Sequence, residues 1–339
     1  MNKTGVLLIQ LGTPDSPSVL DVRKYLREFL NDPRVIDIPW LARKILVNLI
    51  IVPFRAPKSA KVYRKLWTEK GSPLLYYSES LKNKLQNLLG DEYNIELAMR
   101  YQNPSMDDVL EKMRKRNYNK ILILPLFPQY ASATSGSAVD RAMKIIKKWW
   151  VIPEVKMITQ FWDDEGYLNS FAERGKQYNL HEYDHILFSY HGLPVRQVDK
   201  VYFDGKPCSD HNCENEITED NKYCYKAQSY ATTRALAARL NIPREKYTVC
   251  FQSRLNKNWL TPFTDKTIID LANKGAKKLL VFSPAFVADC LETVIEIADE
   301  YQHLFKQHGG EKVQLVESLN NDDRWIKGIM DLIINKLKD

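Results

Sequence analysis

Residues 279–301, LLVFSPAFVADCLETVIEIADEY, decide the fold of this chain. The stretch opens with apolar residues at 279–282, a length and composition typical of a buried parallel strand. A Ser-Pro pair ends that strand, and Asp289 is placed to cap a helix that begins near Leu291. A buried strand followed at once by a helix is the repeating unit of open α/β sheets.

The predicted helix carries a row of glutamates. Glu292, Glu296 and Glu300 recur at every fourth residue and therefore share one face. The other face is expected to carry the apolar residues Leu291, Val294, Ile295, Ala298 and Phe305. A solvated acidic face is the ordinary interpretation. The alternative is a path for protons or a divalent cation, because no Lys or Arg is interleaved and the helix starts where open sheets bind ligands.

Composition limits the remaining choices. The chain has 339 residues, 44% of them hydrophobic, which suits one large or two medium domains. No basic apolar leader and no run of about 18 uncharged apolar residues are seen, so neither a signal peptide nor a spanning helix is expected. Its five cysteines are then predicted to be thiols or metal ligands. The net charge of +7 permits an anionic partner, and no nucleic-acid motif is found.

The second half of the chain repeats the first. A strand at 5–10 precedes Gly12, and a strand at 185–190 precedes Gly192, which lies 180 residues further on. Strands predicted at 95–101 and 120–125 recur at 247–252 and 277–284. The repeat predicts an α/β protein of two similar lobes, residues 1–160 and 161–339, with parallel sheets flanked by helices. A cleft between such lobes is a favoured place for a ligand.

The segment 40–54, WLARKILVNLIIVPF, is unusually apolar but too short to span a bilayer. It is either a buried core helix or an interfacial segment. In the second case its apolar residues enter lipid while Arg43, Lys44 and Arg55 meet anionic head groups.

His191 ends the first predicted strand of the second lobe. A single histidine is commonly structural, but a place at the carboxyl end of a strand favours a role in binding or catalysis. His191 and the Glu292 row would come from neighbouring strand ends. Imidazole and carboxylates in one crevice suit proton abstraction or transient binding of a divalent metal.

A polar insertion at 203–224 holds Cys208, Cys213 and Cys224 with the spacing C-x4-C-x10-C. Thiols this close in sequence favour zinc or an iron–sulfur cluster. Ser229 occupies the position where a fourth cysteine is wanted, so three unligated thiols remain an alternative.

Seven motifs, in order along nearly the whole chain, resemble those of ferrochelatases, the terminal enzymes of haem synthesis. They are LLIQLGTPDSPSVLDVRKYLREFL (7–30), GSPLLYYS (71–78), LPLFPQYASATSGS (124–137), FSYHGLP (188–194), FQSRLNKNWLTPFTD (251–265), SPAFVADCLETVIEI (283–297) and ESLN (317–320). The resemblance implies two Rossmann-like lobes with the substrate in the cleft between them, which agrees with the repeat.

The resemblance also implies the activity and its residues. Such an enzyme inserts Fe²⁺ into protoporphyrin IX to form protohaem, with His191 and Glu292 as the catalytic pair and Glu296 and Glu300 as further metal residues. The implied substrate contacts are Arg55, Lys58, Tyr63, Ser72, Arg100, Tyr101, Tyr130 and Trp259. Metallation releases pyrrole protons, and a histidine titrates in the range that a base for them needs.

The same resemblance implies a cofactor, a cellular location and partners. Cys208, Cys213 and Cys224 are candidate ligands of a [2Fe–2S] cluster. The implied location is the cytoplasm, with peripheral association at the inner membrane through the segment 40–54 and with other haem-pathway enzymes as partners. Two alternatives stay open: a coproporphyrin ferrochelatase, and a non-catalytic tetrapyrrole- or metal-binding protein of the same fold. A small-molecule oxidoreductase that uses a cysteine cluster is disfavoured because no G-x-G-x-x-G follows the first strand.

Overall fold

A computed structural model describes residues 4–338, which form two compact units. Of the described residues, the first unit comprises 4–127, 132–160 and 320–338, and the second comprises Pro128–Ala131 and Phe161–Leu319. The second lobe predicted from sequence runs to the end of the chain, whereas the structure groups residues 320–338 with the first unit.

The first unit is built on a sheet of four parallel strands in the order β2-β1-β3-β4. Its strands are β1 (Thr4–Gly12), β2 (Tyr93–Tyr101), β3 (Lys120–Pro125) and β4 (Glu154–Met157). Its helices are α1 (Val19–Leu30), α2 (Trp40–Ile45), α3 (Val52–Leu66), α4 (Pro73–Leu89), α5 (Met106–Lys115) and α6 (Ser137–Ile146). Ser18 and Ser105 cap α1 and α5, each accepting the N–H three residues on.

The second unit has four parallel strands in the corresponding order, β6-β5-β7-β8. They are β5 (His185–His191), β6 (Tyr247–Gln252), β7 (Lys278–Phe282) and β8 (Lys312–Leu315). The helices are α7 (Glu165–Gly175), α8 (Val195–Val198), α9 (Tyr225–Arg239), α10 (Thr264–Asn273) and α11 (Gln302–Gln307). A final helix, α12 (Asp323–Lys338), completes the first unit.

The predicted repeat is visible in the two glycines that follow the first strand of each unit. A Cβ added to Gly12 would lie 2.0 Å from the Tyr101 carbonyl oxygen, at the end of β2. A Cβ added to Gly192 would lie 2.8 Å from the Gln252 carbonyl oxygen, at the end of β6. In both units only glycine permits this close approach of two chain segments at the carboxyl edge of the sheet.

Helix α12 belongs to the first unit because of what it buries. Trp325, Ile329 and Ile333 lie along one of its faces and are fully buried. The helix packs on α4, and Lys84 of α4 donates to Asp323 at 2.7 Å. An apolar helical face of this kind can be recognised from sequence, but the surface that it covers cannot.

The segment 40–54 is helical and largely exposed. It runs from α2 through a π-helical stretch, Leu46–Ile51, into α3. Leu49 is 68% exposed and Phe54 is 74% exposed, so the interpretation as a buried core helix is wrong. Arg43 points inward, with its guanidinium donating to the carbonyl oxygens of Ile36 and Ile38, and is not available to head groups. No helix within residues 4–338 is long and apolar enough to cross a membrane.

The acidic helix begins at Leu291 as predicted, but most of it is π-helical, over Glu292–Tyr301. Its buried residues therefore differ from an α-helical projection. Ile297, Tyr301 and Phe305 recur at every fourth position in the core of the second unit, while Ala298 is exposed.

Candidate active site

His191 is the last residue of β5 and pairs in register with Gln252 of β6. Its Nδ1 atom lies 2.7 Å from the Gly192 carbonyl oxygen. A carbonyl can only accept, so Nδ1 carries the hydrogen of this bond. In the neutral ring the lone pair is then on Nε2, and the side chain is half-buried. The geometry defines one basic nitrogen at the carboxyl edge of the sheet.

Trp259 is held beside this imidazole by backbone pairing. The N–H of Leu260 donates to Leu193 at 2.9 Å, and an antiparallel bridge joins Trp259 to Pro194. The indole and imidazole centroids lie 6.4 Å apart, and Phe286 lies at the same distance from His191. Two aromatic side chains thus flank the predicted base.

Glu296 is the most firmly held carboxylate of the row. It accepts the Ser253 N–H at 2.9 Å, the Ser253 hydroxyl, the Tyr301 hydroxyl at 2.7 Å and the Gln252 amide at 3.4 Å. Ser253 has a φ of 60°, an uncommon conformation for a residue other than glycine. Burial and the adjacent Glu296 carboxylate raise the pKa of Tyr301, so its hydroxyl keeps its proton and donates.

The other two acids of the row flank this fixed carboxylate. Glu292 is half-buried and Glu300 is exposed, so the row leads from the sheet edge toward solvent. Among residues 4–338, no three ligand atoms drawn from His191 and these glutamates lie within 4.8 Å of one another. The row is spaced as separate carboxylates and is not a preassembled metal cage.

Gln252, Ser253 and Tyr301 are site residues that the sequence did not single out. The Gln252 amide donates to the main-chain oxygen of Glu292 at 3.0 Å, and its Oε1 atom accepts the Ser189 hydroxyl at 2.6 Å. Gln252 therefore links the strand that carries His191 to the acidic helix. For the first two the signal was present, since Gln252 ends a predicted strand, as His191 does, and Ser253 follows it directly.

Tyr130 lies in the short segment Pro128–Ala131, which belongs to the second unit although the chain on either side of it belongs to the first. Its N–H donates to the Gln228 side chain of α9 at 2.6 Å. Its half-buried ring meets the Tyr223 ring edge-on, with centroids 5.6 Å apart. The predicted porphyrin-contact residue is thus supported from the end of the cysteine insertion.

In the first unit, Arg100 and Tyr101 converge on Asp32. The Asp32 carboxylate accepts Arg100 at 2.5 Å, Tyr101 at 3.0 Å and Ser137 at 2.5 Å. Burial acts to raise the pKa of Asp32, but the Ser137 hydroxyl, the Arg34 N–H and the Arg100 charge outweigh it, so the pKa is lowered. Tyr101 is 0% exposed, so its predicted substrate contact stays a prediction.

The remaining predicted substrate residues of the first unit differ in accessibility. Arg55 and Lys58 are exposed on α3, where they lie three positions apart and therefore share one face. Tyr63 is buried with its ring edge-on to Tyr25 at 6.2 Å. Ser72 is buried, and its hydroxyl accepts that of Thr13 at 2.9 Å. Only the two cations present their charged ends to solvent.

The three cysteines of the insertion do come together. The sulfur of Cys208 lies 3.7 Å from that of Cys213 and 3.5 Å from that of Cys224, and the last two are 3.8 Å apart. All three are buried. In the part of the chain that the structure describes, this triad is the only group of three or more Cys, His, Asp or Glu ligands within 4.8 Å. It is a place where a metal could bind.

Comparison with known proteins decides the family. A sequence model described as Ferrochelatase matches residues 3–337. The chain belongs to the ferrochelatase family. Ferrochelatases of Coxiella burnetii (strain CbuG_Q212) and Legionella pneumophila (strain Lens) are each 43% identical to it, over 99% and 98% of this chain and 95% and 98% of theirs. The predicted family and the enzyme class of porphyrin metal chelatase, with Fe²⁺ as a substrate, are confirmed.

Solved structures share the fold of this ferrochelatase family member at low sequence identity. SirB from Bacillus subtilis with Fe3+ aligns with a TM-score of 0.55 and 10% identity, over 98% of this chain and 95% of that one. The sirohydrochlorin chelatase SirB from Bacillus subtilis subspecies spizizenii, in complex with cobalt, aligns with a TM-score of 0.52 and 11% identity, over 99% and 96%. The predicted α/β fold with two parallel sheets is confirmed.

Proposed function

We propose that the protein inserts Fe²⁺ into protoporphyrin IX and forms protohaem, as the last step of haem biosynthesis. The observation that carries the proposal is the tautomer of His191. Its Nδ1–H is committed to the Gly192 carbonyl at 2.7 Å, which leaves Nε2 as a base beside two aromatic rings. Gln252, which pairs with His191, joins the glutamate row to the same edge of the sheet. Metallation of a porphyrin requires such a base, because the ring must lose two pyrrole protons.

In this mechanism His191 accepts a pyrrole proton at Nε2 as a pyrrole nitrogen gains a bond to iron. The second proton leaves through the glutamate row, for which Glu292 is the first residue and Glu300 the solvent-exposed end. Glu296, held by four donors, keeps the row in place. The overall balance is one Fe²⁺ taken up and two protons released.

The metal ligands proposed for delivery are the same imidazole and carboxylates. Ligands of this kind bind Fe²⁺ without the strong preference that thiolates have for soft ions. A spaced row suits transient binding, because each site along it is incomplete and releases its ion readily. Glu292 and His191 are proposed as the last of these sites before the ring.

The porphyrin is proposed to stack on Trp259 and Tyr130 in the second unit. Both side chains are half-buried and therefore retain surface for a planar ligand. In the first unit, Arg55 and Lys58 offer exposed cations for the propionate carboxylates. Roles for Tyr63, Ser72, Arg100 and Tyr101 stay predictions, as do the lobes 1–160 and 161–339 and the cleft between them.

The test of the proposed function is an anaerobic assay with Fe²⁺ that compares protoporphyrin IX with coproporphyrin III by their visible spectra. We expect protoporphyrin to be metallated with the higher kcat/KM, because the exposed apolar segment 40–54 suits a substrate with fewer carboxylates. Faster turnover of coproporphyrin would reassign the substrate. Binding of both rings without metallation of either would favour the non-catalytic alternative.

We further propose that the protein is cytoplasmic and associates peripherally with the inner membrane through the segment 40–54. Apolar side chains of this helical segment are exposed, and cations lie close to them in sequence. The exposed apolar residues are Trp40, Leu41, Ile45, Leu49, Ile50 and Phe54. An apolar surface flanked by Lys58 and Lys61 of α3 suits a bilayer that contains anionic lipid. Other haem-pathway enzymes remain proposed partners without a surface assigned to them.

The double variant Leu49→Asp, Phe54→Ser should lose binding to vesicles of phosphatidylethanolamine and phosphatidylglycerol. Burial of such side chains is worth about 1.5–3 kcal/mol each, so we expect vesicle affinity to fall at least about tenfold in a flotation assay. Leu255→Asp, at an exposed leucine outside the segment, is the control and should float like the unmodified protein. Equal flotation of all three proteins would contradict the proposal.

For the cysteine triad, the finer prediction from sequence was a [2Fe–2S] cluster on Cys208, Cys213 and Cys224. Such a cluster takes four thiolates in proteins of this kind, and the triad supplies three. Ser229, where a fourth was wanted, uses its hydroxyl to donate to the Tyr225 carbonyl at 2.8 Å. The coarser proposal, a metal site within 203–224, is therefore the one the donor set supports.

A further inference from the structure

The sulfur atoms of the triad are arranged for a single metal ion. We infer that Cys208, Cys213 and Cys224 hold one structural zinc ion and not an iron–sulfur cluster. Thiolates bound to one tetrahedral ion at about 2.3 Å are separated from one another by roughly 3.8 Å. The three separations here are 3.7, 3.5 and 3.8 Å, so all three sulfurs fit one coordination sphere.

A [2Fe–2S] cluster would impose a different arrangement. Each of its irons takes two of the four protein ligands, so any three cysteines would include ligands of both irons. The third sulfur would then be displaced from the other two by the length of the cluster. The three sulfur–sulfur separations are nearly equal, so none of the sulfurs is displaced in this way.

The insertion has little else to hold it in place. In the segment 203–224 only Asn221 is buried besides the three cysteines. The segment contains no strand, and its Phe203 is fully exposed. A chain of this length without an apolar core usually needs a disulfide or a metal to stay ordered, and all five cysteines are free. A zinc ion accounts for the order.

Hydrogen bonds around the sulfurs also fit a thiolate site. The Cys208 N–H donates to Asp199 at 2.8 Å, and the Asn221 amide reaches the Cys213 sulfur at 3.9 Å. The Tyr202 hydroxyl lies 2.8 Å from the Cys213 sulfur. Zinc accepts oxygen ligands as well as sulfur, so an oxygen can complete the four-coordinate site.

His211 does not complete the site. Its ring stacks on Tyr202, with centroids 3.8 Å apart and an interplanar angle of 7°. Its Nε2 atom lies 3.4 Å from the Asp204 carboxylate, and among the described residues the group of ligand atoms within 4.8 Å of one another contains the three sulfurs and no histidine nitrogen. The donors that the structure brings together are three sulfurs, and the inference assigns the fourth position to an oxygen ligand.

The test uses the full chain, purified anaerobically without chelators and assayed for zinc, iron, copper and acid-labile sulfide. We expect about one zinc ion per chain and no sulfide, since a closed thiolate site retains its ion through purification. Iron with sulfide and the visible spectrum of a [2Fe–2S] cluster would overturn the inference. Copper, or protein free of bound metal, would overturn it as well.

Variants separate this ion from metal bound as a substrate. Cys213→Ser should lose the zinc, whereas Cys250→Ala, at a buried cysteine of β6 outside the triad, should keep it. His191→Ala should also keep it, because the triad does not include the predicted base. Zinc lost from His191→Ala and kept by Cys213→Ser would contradict the inference.

Cobalt provides a measurement that does not depend on the folding of a variant. Co²⁺ exchanged into the unmodified protein should give the intense thiolate-to-cobalt charge-transfer absorption of a tetrahedral site with several sulfur ligands. Absorption typical of octahedral oxygen ligands would instead mean that the bound ion is not on the triad.

The zinc ion would also support a porphyrin-contact residue. Tyr223 precedes Cys224 directly and packs edge-on against Tyr130 at 5.6 Å. This consequence rests on the proposed function. Removal of zinc should then raise the KM for the porphyrin several-fold with little change in kcat. An unchanged KM in protein shown to lack zinc would contradict the link to Tyr130. It would not contradict the inference that the triad binds zinc.

Discussion

Replacement of His191 with alanine is expected to lower kcat for Fe²⁺ insertion by about 10²–10⁴-fold, the usual contribution of a positioned base. The side chain is fixed at the end of β5, and its Nδ1–H is committed to the Gly192 carbonyl at 2.7 Å, so Nε2 is the basic atom. Methyl in place of imidazole removes that atom and the hydrogen bond to the Gly192 carbonyl, but it leaves the main-chain pairing of His191 with β6 unchanged. The affinity for protoporphyrin should change little, because the aromatic side chains of Trp259 and Tyr130 remain.

The measurement is steady-state metallation followed by visible absorption, with porphyrin binding measured separately by fluorescence quenching. His185→Ala is the matched control, since His185 begins the same strand and its ring forms a hydrogen bond with the Thr248 hydroxyl at 2.9 Å. It should keep kcat within about twofold while losing the roughly 0.5–1.5 kcal/mol of one hydrogen bond. A His191→Ala protein that metallates at the unmodified rate would exclude His191 as the base.

Asp32→Asn should produce the largest loss of stability. Its carboxylate balances the Arg100 guanidinium in a site where the two side chains are 3% and 13% exposed. Removal of one partner from a buried ion pair costs about 3–5 kcal/mol, because the other charge is left without compensation. Asparagine keeps the shape but not the charge, and its amide hydrogens would face the donors of Tyr101 and Ser137.

The loss will be measured as the decrease in the free energy of unfolding in urea, with Asp107→Asn as the control. Asp107 pairs with Arg141 on the surface, where its side chain is 59% exposed, and such pairs contribute about 0–1 kcal/mol. A destabilisation by Asp32→Asn no larger than that of Asp107→Asn would show that the Asp32 network is not essential to the first unit.

The effect of Asp32 should depend on pH in a defined direction. Its pKa is lowered in the folded protein, so the carboxylate stabilises the fold above the unfolded pKa of about 3.9. That stability is lost as the pH falls through the lower folded value. The difference in free energy of unfolding between Asp32→Asn and the unmodified protein should therefore be constant near neutral pH and become smaller in acid. A difference that grows as the pH falls below about 4 would contradict the assignment.

The internal strands of both sheets could be predicted from sequence because they are continuous apolar runs. The edge strands β2 and β6 were also predicted, at 95–101 and 247–252, whereas the opposite edge strands β4 and β8 were not. Each has four residues, EVKM and KVQL, in which polar side chains alternate with apolar ones. So short an alternation is common outside sheets, and only pairing with β3 and β7 makes it a strand. Which strand an edge strand pairs with is determined by the tertiary structure, and a local sequence pattern does not contain that information.

The site was predictable to a similar extent. His191 and the glutamate row followed from the rule that functional residues collect at the carboxyl ends of parallel strands. The π-helical turn did not, because it depends on how Ile297, Tyr301 and Phe305 fit the core. The left-handed backbone of Ser253, which directs its N–H to Glu296, is likewise set by packing. The repeat also did not indicate why histidine precedes Gly192 while leucine precedes Gly12.

The contribution of α12 to the first unit has a consequence for synthesis on the ribosome. Domains generally fold as they emerge, the N-terminal one first. Here the helix Asp323–Lys338, which packs on α4, is translated only after the whole of the second unit. The surface that Trp325, Ile329 and Ile333 cover must therefore remain exposed throughout elongation. A nascent chain stalled before residue 320 should bind a chaperone that recognises apolar surface, and should release it once the last helix has been made.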